Sequence, residues 1–457
     1  MTNYSPNTWN SGDVVTKAKV DRLEAGAAAA LPSAPGTGKN PLTGVYYANG
    51  YSGVDPTGAT DSTTGLNTMF AAVPTDQTIV FTGTYKIVGT LNQPPARSRC
   101  VGTGEGAVLS YQPASAGTMM TITNAQRIKF LDMRFLLPAT TAGAGSTLFT
   151  LSGTFRCSWH RCVFQGQHVS SGDAYGVSTG HRGVNLTGNS GDNQIIDCDF
   201  NNLGVGIQTD CVQNSMSGGA FSSCYVGVYG HGASQSGFSL SGYVDFVSPN
   251  ASPGVVTRNI WVPDTASDWW IEHCWFEGAD TCIELGDGAG TGPASVSIQR
   301  CHVAANTTCV KLLGGQGSSI EDIDFGYSNS NTSATSLSVN GTYCTRGFAK
   351  NLRSLIPSDP KLSGGNGVDL VSTAFPTGWT YVGTARVRLA NQLVGASDWV
   401  NDAGTNLAGV LANGAIVIDG SGTGLVLRDS SNKYWRVTVS TGGALVITGL
   451  TTTRPTS

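Results

Sequence analysis

Trp159-His-Arg-Cys162-Val-Phe164, Ile195-Ile-Asp-Cys198-Asp-Phe200 and Ile298-Gln-Arg-Cys301-His-Val303 are three copies of one pattern, apolar-x-x-Cys-x-apolar. Further copies run as Phe130…Met133-Arg-Phe135, Phe221…Cys224-Tyr-Val226, Ile271…Cys274-Trp-Phe276 and Ile320…Ile323-Asp-Phe325, and Tyr243-Val-Asp-Phe246 fills a gap more loosely. A second element, apolar-x-apolar, recurs between them. Its copies include Val184-Asn-Leu186, Val205-Gly-Ile207, Val226-Gly-Val228, Ile260-Trp-Val262, Ile283-Glu-Leu285, Val310-Lys-Leu312, Leu337-Ser-Val339 and Val368-Asp-Leu370. Alternation with period two is a strand signal, and a two-residue break between apolar positions is a corner joining two strands. Strand, corner, strand repeated every 20 to 36 residues or roughly so describes a solenoid of stacked coils, a parallel β-helix. Equivalent residues then form ladders spaced ~4.8 Å apart. Cys162, Cys198, Cys224, Cys274 and Cys301 are expected to form one internal column, as small apolar residues suited to a narrow core.

Composition agrees. The chain of 457 residues holds 61 glycines, well above the usual ~7 %, which suits many tight turns between short strands. Only 12 % of residues are charged and the formal net charge is −4, so no bulk electrostatic case exists for nucleic acid as a partner. No apolar run approaches the ~18 residues of a membrane span, so no membrane insertion is expected. Residues 1–6 lack the basic and apolar stretches of a secretory signal. The 11 cysteines are an odd number without a CxxC pair, and Cys157, His160 and Cys162 have no second cluster to complete a metal site. Neither a metal nor a cofactor is expected.

Three regions differ in character. In residues 1–40, Thr16 can cap a short helix over 17–30, and the Pro- and Gly-rich 31–41 stretch reads as a linker. A helix whose apolar stripe is Val20, Leu23 and alanines cannot hold itself together in water, which points to an attachment or trimerisation segment. Residues 41–375 carry the β-helix. Residues 376–457 read as a small β domain, with strands at 386–389, 415–418 and 444–448 and a hairpin turning at 429–432.

Two stretches resemble known families. Val54-Asp-Pro-Thr-Gly-Ala-Thr-Asp-Ser62, Ile79-Val-Phe-Thr-Gly-Thr-Tyr-Lys-Ile87 and Val101-Gly-Thr-Gly-Glu-Gly106 resemble the opening of the pectate-lyase-like superfamily, in which residues 63–72 would be the helix that caps a right-handed parallel β-helix. Thr8-Trp-Asn-Ser-Gly-Asp-Val-Val-Thr-Lys-Ala-Lys-Val-Asp-Arg-Leu-Glu-Ala-Gly26 is similar to an N-terminal segment of many phage tail and baseplate proteins. The C-terminal 425–448 hairpin also looks like strands that end phage tail proteins. Together the resemblances imply a bacteriophage tailspike or receptor-binding tail protein. They imply a homotrimer in the virion, docked to tail or baseplate proteins by its N-terminus, that meets a host-surface glycan outside the cell.

Such proteins use their coil faces, so the outward positions matter. After the column residues these are Arg134, Val163, Asp199, Tyr225, Asp245, Trp275, His302 and Asp324. In the other sheet they run Asn185, Gly206, Gly227, Trp261, Glu284, Lys311, Ser338 and Asp369. The densest group is Trp269-Trp-Ile-Glu-His-Cys-Trp-Phe-Glu-Gly-Ala-Asp280. Sugar rings stack on indoles and their hydroxyls need carboxylate or amide partners, so Trp275, Trp270, Trp261, His302 and Glu284 are candidates for substrate binding. Glycosidic cleavage needs two carboxyls. Glu277, flanked by Trp275, is the candidate acid, Asp245 its base or nucleophile, and Glu272 a third carboxylate. Three activities stay open: glycoside hydrolysis; elimination by a polysaccharide lyase, which needs a base such as Lys311 or His302; and adhesion or a structural tail role without cleavage.

Overall fold

The structure is a computed structural model that describes residues 44–356 except 104–106, 138–144, 167–180, 233–234, 249–255, 329–331, 333, 341–342, 346 and 351. Beyond 356 it describes the backbone of strands as far as Leu445–Thr451. The expected 17–30 helix and its linker lie outside the described residues. The chain divides into two compact units, Met1–Ile260 and Trp261–Ser457, each taken by itself below.

In the first unit, Asp55 accepts hydrogen bonds from the backbone N–H groups of Thr57 (2.9 Å) and Thr60 (2.7 Å), which fixes the turn ahead of the helix. That helix is Thr63–Ala72, as the resemblance implied, and it buries Leu66, Met69 and Phe70. Coils follow. Lys129–Leu131, Ser158–His160, Gln194–Asn201, Ser215–Ser222 and Ser239–Ser241 pair in parallel, each with the strand one coil on. A second sheet stacks Thr118–Thr123, Thr147–Ser152, Arg182–Thr187, Val205–Thr209 and Val226–Gly230 in the same way. Parallel pairing at one-coil intervals in two sheets is the parallel β-helix that the repeat predicts.

The corner has a specific cause. In Ile195-Ile-Asp-Cys198 the residue before the cysteine, Asp197, has φ 51°, and Asp132, Arg161, His273, Arg300 and Asp322 hold the same conformation at the same place. One left-handed residue swings the chain from one strand into the next at a cost of ~1–2 kcal/mol for a side chain with a Cβ. The coil packing must offset that cost.

Inside, Phe164, Phe200, Phe221 and Phe246 stack with centroids 4.4, 4.9 and 4.6 Å apart. At the corner side, Asn193 Nδ2 donates to Asn214 Oδ1 at 3.0 Å, and Asn193 Oδ1 accepts from the Cys157 N–H at 3.0 Å. This satisfies backbone donors that stacked coils would otherwise bury unpaired. All 11 cysteines are free and buried. Burial pushes the Cys157 thiol up to about 11 and Cys224 up to about 12, which leaves both protonated.

Register corrects three sequence readings. Cys198 pairs with Gly219, and Phe200 with Phe221, so Cys224 lies outside the column and Tyr225 outside the outward row. Ala220 takes the outward position between Asp199 and Asp245. The sequence pattern misplaced this coil because Gly219 replaces the marker cysteine and Phe221 then mimics the first apolar position of a copy. In the second sheet Asn185 pairs with Gln208, and Gln208 with Tyr229, whereas Gly206 and Gly227 point inward onto Phe221 and Phe246. Likewise Ser338 pairs with Val371, not Asp369.

In the second unit, Trp270–Glu272, Ser297–Gln299, Ser319–Glu321 and Phe348–Lys350 form one ladder. Trp275–Glu277, His302–Ala305, Asp324–Tyr327 and Arg353–Ser354 form the adjoining one. The second sheet stacks Thr281–Leu285, Thr308–Leu312, Thr335–Val339 and Asp369–Ser372. Parallel pairing runs on past 375 through Thr380–Val382 and Arg386–Leu389. Antiparallel strands follow: Trp399–Val400 with Asn406–Val410 and Ile416–Ile418, then Leu425–Arg428, Tyr434–Val439 and Leu445–Thr451 as a meander. Among the described residues no helix is long and apolar enough to cross a membrane.

Candidate functional site

In the second unit, the row after the core column reads Trp275, His302, Asp324, Arg353 in successive coils. Each side chain points outward because its neighbours Phe276, Val303 and Phe325 fill the core. Trp275 is 37 % exposed and its indole stacks on the His302 ring, with centroids 3.9 Å apart and planes 21° apart. The indole N–H donates to Glu277 Oε2 at 3.3 Å. Glu277 is exposed, and the indole offers it a hydrogen bond at its edge. Two residues on, Ala304 and Gly326 leave the strip beside His302 low. A Cβ on Gly326 would stand 3.4 Å from the His302 ring, and its absence keeps that edge open.

Burial lowers the His302 pKa, while the Asp324 and Glu277 carboxylates pull it up, in that order of effect. The direction is down, so near neutral pH the ring is an uncharged imidazole with one donor and one acceptor nitrogen. Asp324 is held by Arg353, with Nε 2.6 Å from Oδ1 and Nη2 donating to Oδ2 at 3.0 Å. Neither Asp324 nor Arg353 was singled out from sequence as a site residue. Asp324 stands in the predicted outward row, but the coil of Arg353 shows Ala349 and Ser354 at its inward positions, and these small residues hide the apolar marker.

The other expected residues are distributed as follows. Trp270, 42 % exposed, and the half-buried Glu272 lie on the preceding strand of the same coil, across the corner at His273. Glu272 continues to Gln299 and Glu321, and Ser319 donates to Glu321 at 2.7 Å. This polar row runs beside the Trp275 row, and Glu272 is its one member selected from sequence. Trp261 sits half-buried in the second sheet. Glu284 is in that sheet too, but it is buried and paired with Lys311 at 3.1 Å, so it contacts no ligand on the Trp275 face. Asp245 belongs to the first unit, on the strand Asp245–Val247, half-buried and next to Ala220. Cys157 and Cys162 point inward, while His160 points outward with Nε2 3.0 Å from Ser158 Oγ, so the three do not converge.

No protein-family model matches the chain, and no curated protein matches it. Solved structures do. The chain is similar to the A-module of the mannuronan C-5 epimerase AlgE6 of Azotobacter vinelandii, with 12 % identity over 78 % of this chain and 98 % of that one and a TM-score of 0.47. It is also similar to ORF18 of Geobacillus virus E2, with 12 % identity, coverage of 98 % and 92 %, and a TM-score of 0.44. A third is the gp42 tailspike of Acinetobacter phage vb_AbaP_AS12, with 13 % identity, coverage of 92 % and 76 %, and a TM-score of 0.42.

Proposed function

We propose that the protein is the host-recognition component of a bacteriophage tail and binds a surface polysaccharide on the face that carries Trp275, Glu277 and His302. One observation carries the reading. An exposed indole, a carboxylate bonded to its N–H and a neutral imidazole stacked on its ring lie together in a chain that is 12 % charged. Aromatic edges and faces receive the apolar side of a sugar ring, and the carboxylate and imidazole receive its hydroxyls. Trp270 and Glu272 extend the same surface by one strand. The N-terminal likeness to phage tail segments supports the location: residues 1–40 dock a homotrimer to the tail or baseplate, 41–375 present the glycan face, and 376–457 form a β region whose first strands continue the parallel ladders. In the virion this face meets the host surface from outside.

Trp275→Ala is expected to weaken adsorption to host polysaccharide by about 1–3 kcal/mol, the worth of one aromatic face. Glu277→Gln is expected to bind within a few-fold of the parent. Parental adsorption by both variants refutes the site. Deleting 1–30 is expected to abolish particle attachment and leave the β-helix folded.

A second reading is hydrolysis, favoured by the exposed Glu277 as acid, with Glu272 as its partner and Asp324, held by Arg353, as a fixed negative charge near His302. It predicts new reducing ends on incubation with polysaccharide and their loss in Glu277→Gln. Unsaturated ends absorbing in the ultraviolet would assign a lyase with His302 as base, and neither product leaves the adhesive role.

A further inference from the structure

The first unit carries a second surface whose chemistry the Trp275 face does not share. At its left-handed corners, successive coils place Arg97, Arg127 and Arg156, with φ of 61, 57 and 59°. Their backbones are in register, since Arg97 N–H donates to Gln126 O and Arg127 N–H to Phe155 O. Two residues on, Arg99 pairs with Lys129 and Lys129 with Ser158. Five cations thus occupy two adjacent rows over three coils, at the ~4.8 Å ladder spacing.

Only the ends are compensated. Arg97 meets Asp76 at 2.8 Å and Arg156 meets Asp192 at 3.5 Å. Arg127 and Lys129 make no ion pair among the described residues. Holding like charges at ladder spacing is unfavourable unless a counter-charge arrives. The Asn193–Asn214 hydrogen bonds pin the corners that follow, so the spacing is built into the coil and not left to the side chains.

The surface is also concave. Arg127, Lys129, Arg156, Ser158, His160 and Gln194 line a cavity of about 450 Å³, together with Asp192, whose carboxylate is taken up by Arg156 at 3.5 Å. Gln213 and Ser215 lie at its far end and carry no charge. Cations at one end and amides and hydroxyls at the other suit a polymer with both acid groups and hydroxyls.

We infer that this groove binds an anionic segment of a linear polysaccharide, seating carboxylate or phosphate groups on Arg127 and Lys129 and sugar hydroxyls on Gln194 and Gln213. The inference rests on the glycan-binding reading above and names the ligand class as acidic. Guanidinium groups take planar carboxylates in two parallel hydrogen bonds, whereas a lysine acts as a point charge. The face would therefore hold either acid, and the tetrahedral and planar ligands can be told apart by substitution.

The test uses the full chain and short oligomers as probes: a hyaluronan hexasaccharide, a poly(ribitol phosphate) of similar length and an uncharged dextran, measured by calorimetry at low and high salt. At least one anionic probe is expected to bind about tenfold or more tightly than dextran, and to weaken markedly as salt screens the groove. Hyaluronan in front assigns carboxylate, and poly(ribitol phosphate) in front assigns phosphate. Arg127→Gln with Lys129→Gln is expected to cost about tenfold or more, the scale of a lost charge-assisted contact. Arg127→Lys keeps the charge and is expected to lose less, most of all against the phosphate probe. Circular dichroism of each variant should match the parent, since both side chains lie at the surface. Equal affinity for dextran, salt-independent binding, parental binding by the double variant, or tighter binding of a duplex DNA overturns the inference. A changed oligomeric state in the double variant overturns it too, by making the groove an interface between copies. If Trp275→Ala loses adsorption to host polysaccharide while the double variant keeps parental binding of the probes, the anionic groove fails and the host-recognition reading stands. If the parent binds no polysaccharide at all, both fail.

Discussion

Replacing Gly219 with Ala tests the coil register directly. Gly219 stands in the column that Cys198 occupies one coil earlier, with φ 83°. Two costs combine. A Cβ at that φ is strained by about 1–2 kcal/mol. The same Cβ would stand 2.1 Å from the Cys198 carbonyl oxygen and 2.6 Å from its nitrogen. Both are backbone atoms of a paired strand, so relief requires the two coils to separate, an overpacking cost of about 1–3 kcal/mol. The sum is about 2–5 kcal/mol. Gly288→Ala is the control, because Gly288 has φ 78° and nothing within 4 Å of its would-be Cβ, leaving the conformational cost alone. Urea denaturation followed by circular dichroism is expected to show lower midpoints with unchanged slopes. Gly219→Ala should lose at least about 1 kcal/mol more than Gly288→Ala. Equal losses would refute the register and return Cys224 to the column.

Three further outcomes follow from the same geometry. With all 11 cysteines buried and free, the native protein should react slowly with a thiol reagent and the denatured protein should titrate nearly all 11; three or more disulfides, each removing two thiols from that number, would refute the reading. Lys311→Met removes the ion-pair partner of buried Glu284 and should cost about 1–3 kcal/mol in stability, with Glu284→Gln in the same chain restoring most of it. Burial is the largest effect lowering His302, His181 and His160, so each binds its proton more weakly folded than unfolded. Stability should therefore hold above the unfolded value of ~6.5 and fall as pH drops through it towards the lower folded values. A denaturation midpoint that rises between pH 7 and pH 5 would contradict that sign.

The solenoid is legible in the sequence because its core positions repeat as residue types: Trp159, Ile195 and Ile298 at one place, Cys162, Cys198 and Cys301 at another. Register fails where glycine enters the core. At Gly219 the marker residue is gone, and the following Phe221-Ser-Ser-Cys224 satisfies the same pattern five positions out of step. In the second sheet, Gly206 and Gly227 are inward positions that look outward in an apolar-x-apolar reading, since a glycine there gives way to the rings of Phe221 and Phe246. The candidate site was legible in part. Trp275, Glu277 and His302 came from local density, and their ladder contact follows from the repeat. The Arg353 clamp on Asp324 did not, because it joins residues 29 apart whose coil carries no apolar marker.

Charge on such a surface is decided column by column, which composition cannot reveal. Asp132, Arg161 and Asp197 occupy successive corners of one column with alternating sign; Arg161 Nε lies 2.7 Å from Asp132 Oδ1, and Asp197 adds its field from the next coil. In that column the one cation is taken up by the carboxylates on either side of it. The neighbouring corner column reads Asp76, Arg97, Arg127, Arg156, Asp192, and its middle is left positive. Both columns belong to a chain of formal net charge −4. The net charge properly excludes a long-range pull on nucleic acid, since fields from separated charges are screened within ~10 Å. It does not bear on a groove a few ångströms across, where two unpaired cations lie well inside that length. A residue's role on this fold is thus set by what stands one coil away as much as by its sequence neighbours. Arg161 and Arg127 are both arginines at a left-handed corner, and only the second has a charge left to offer a ligand.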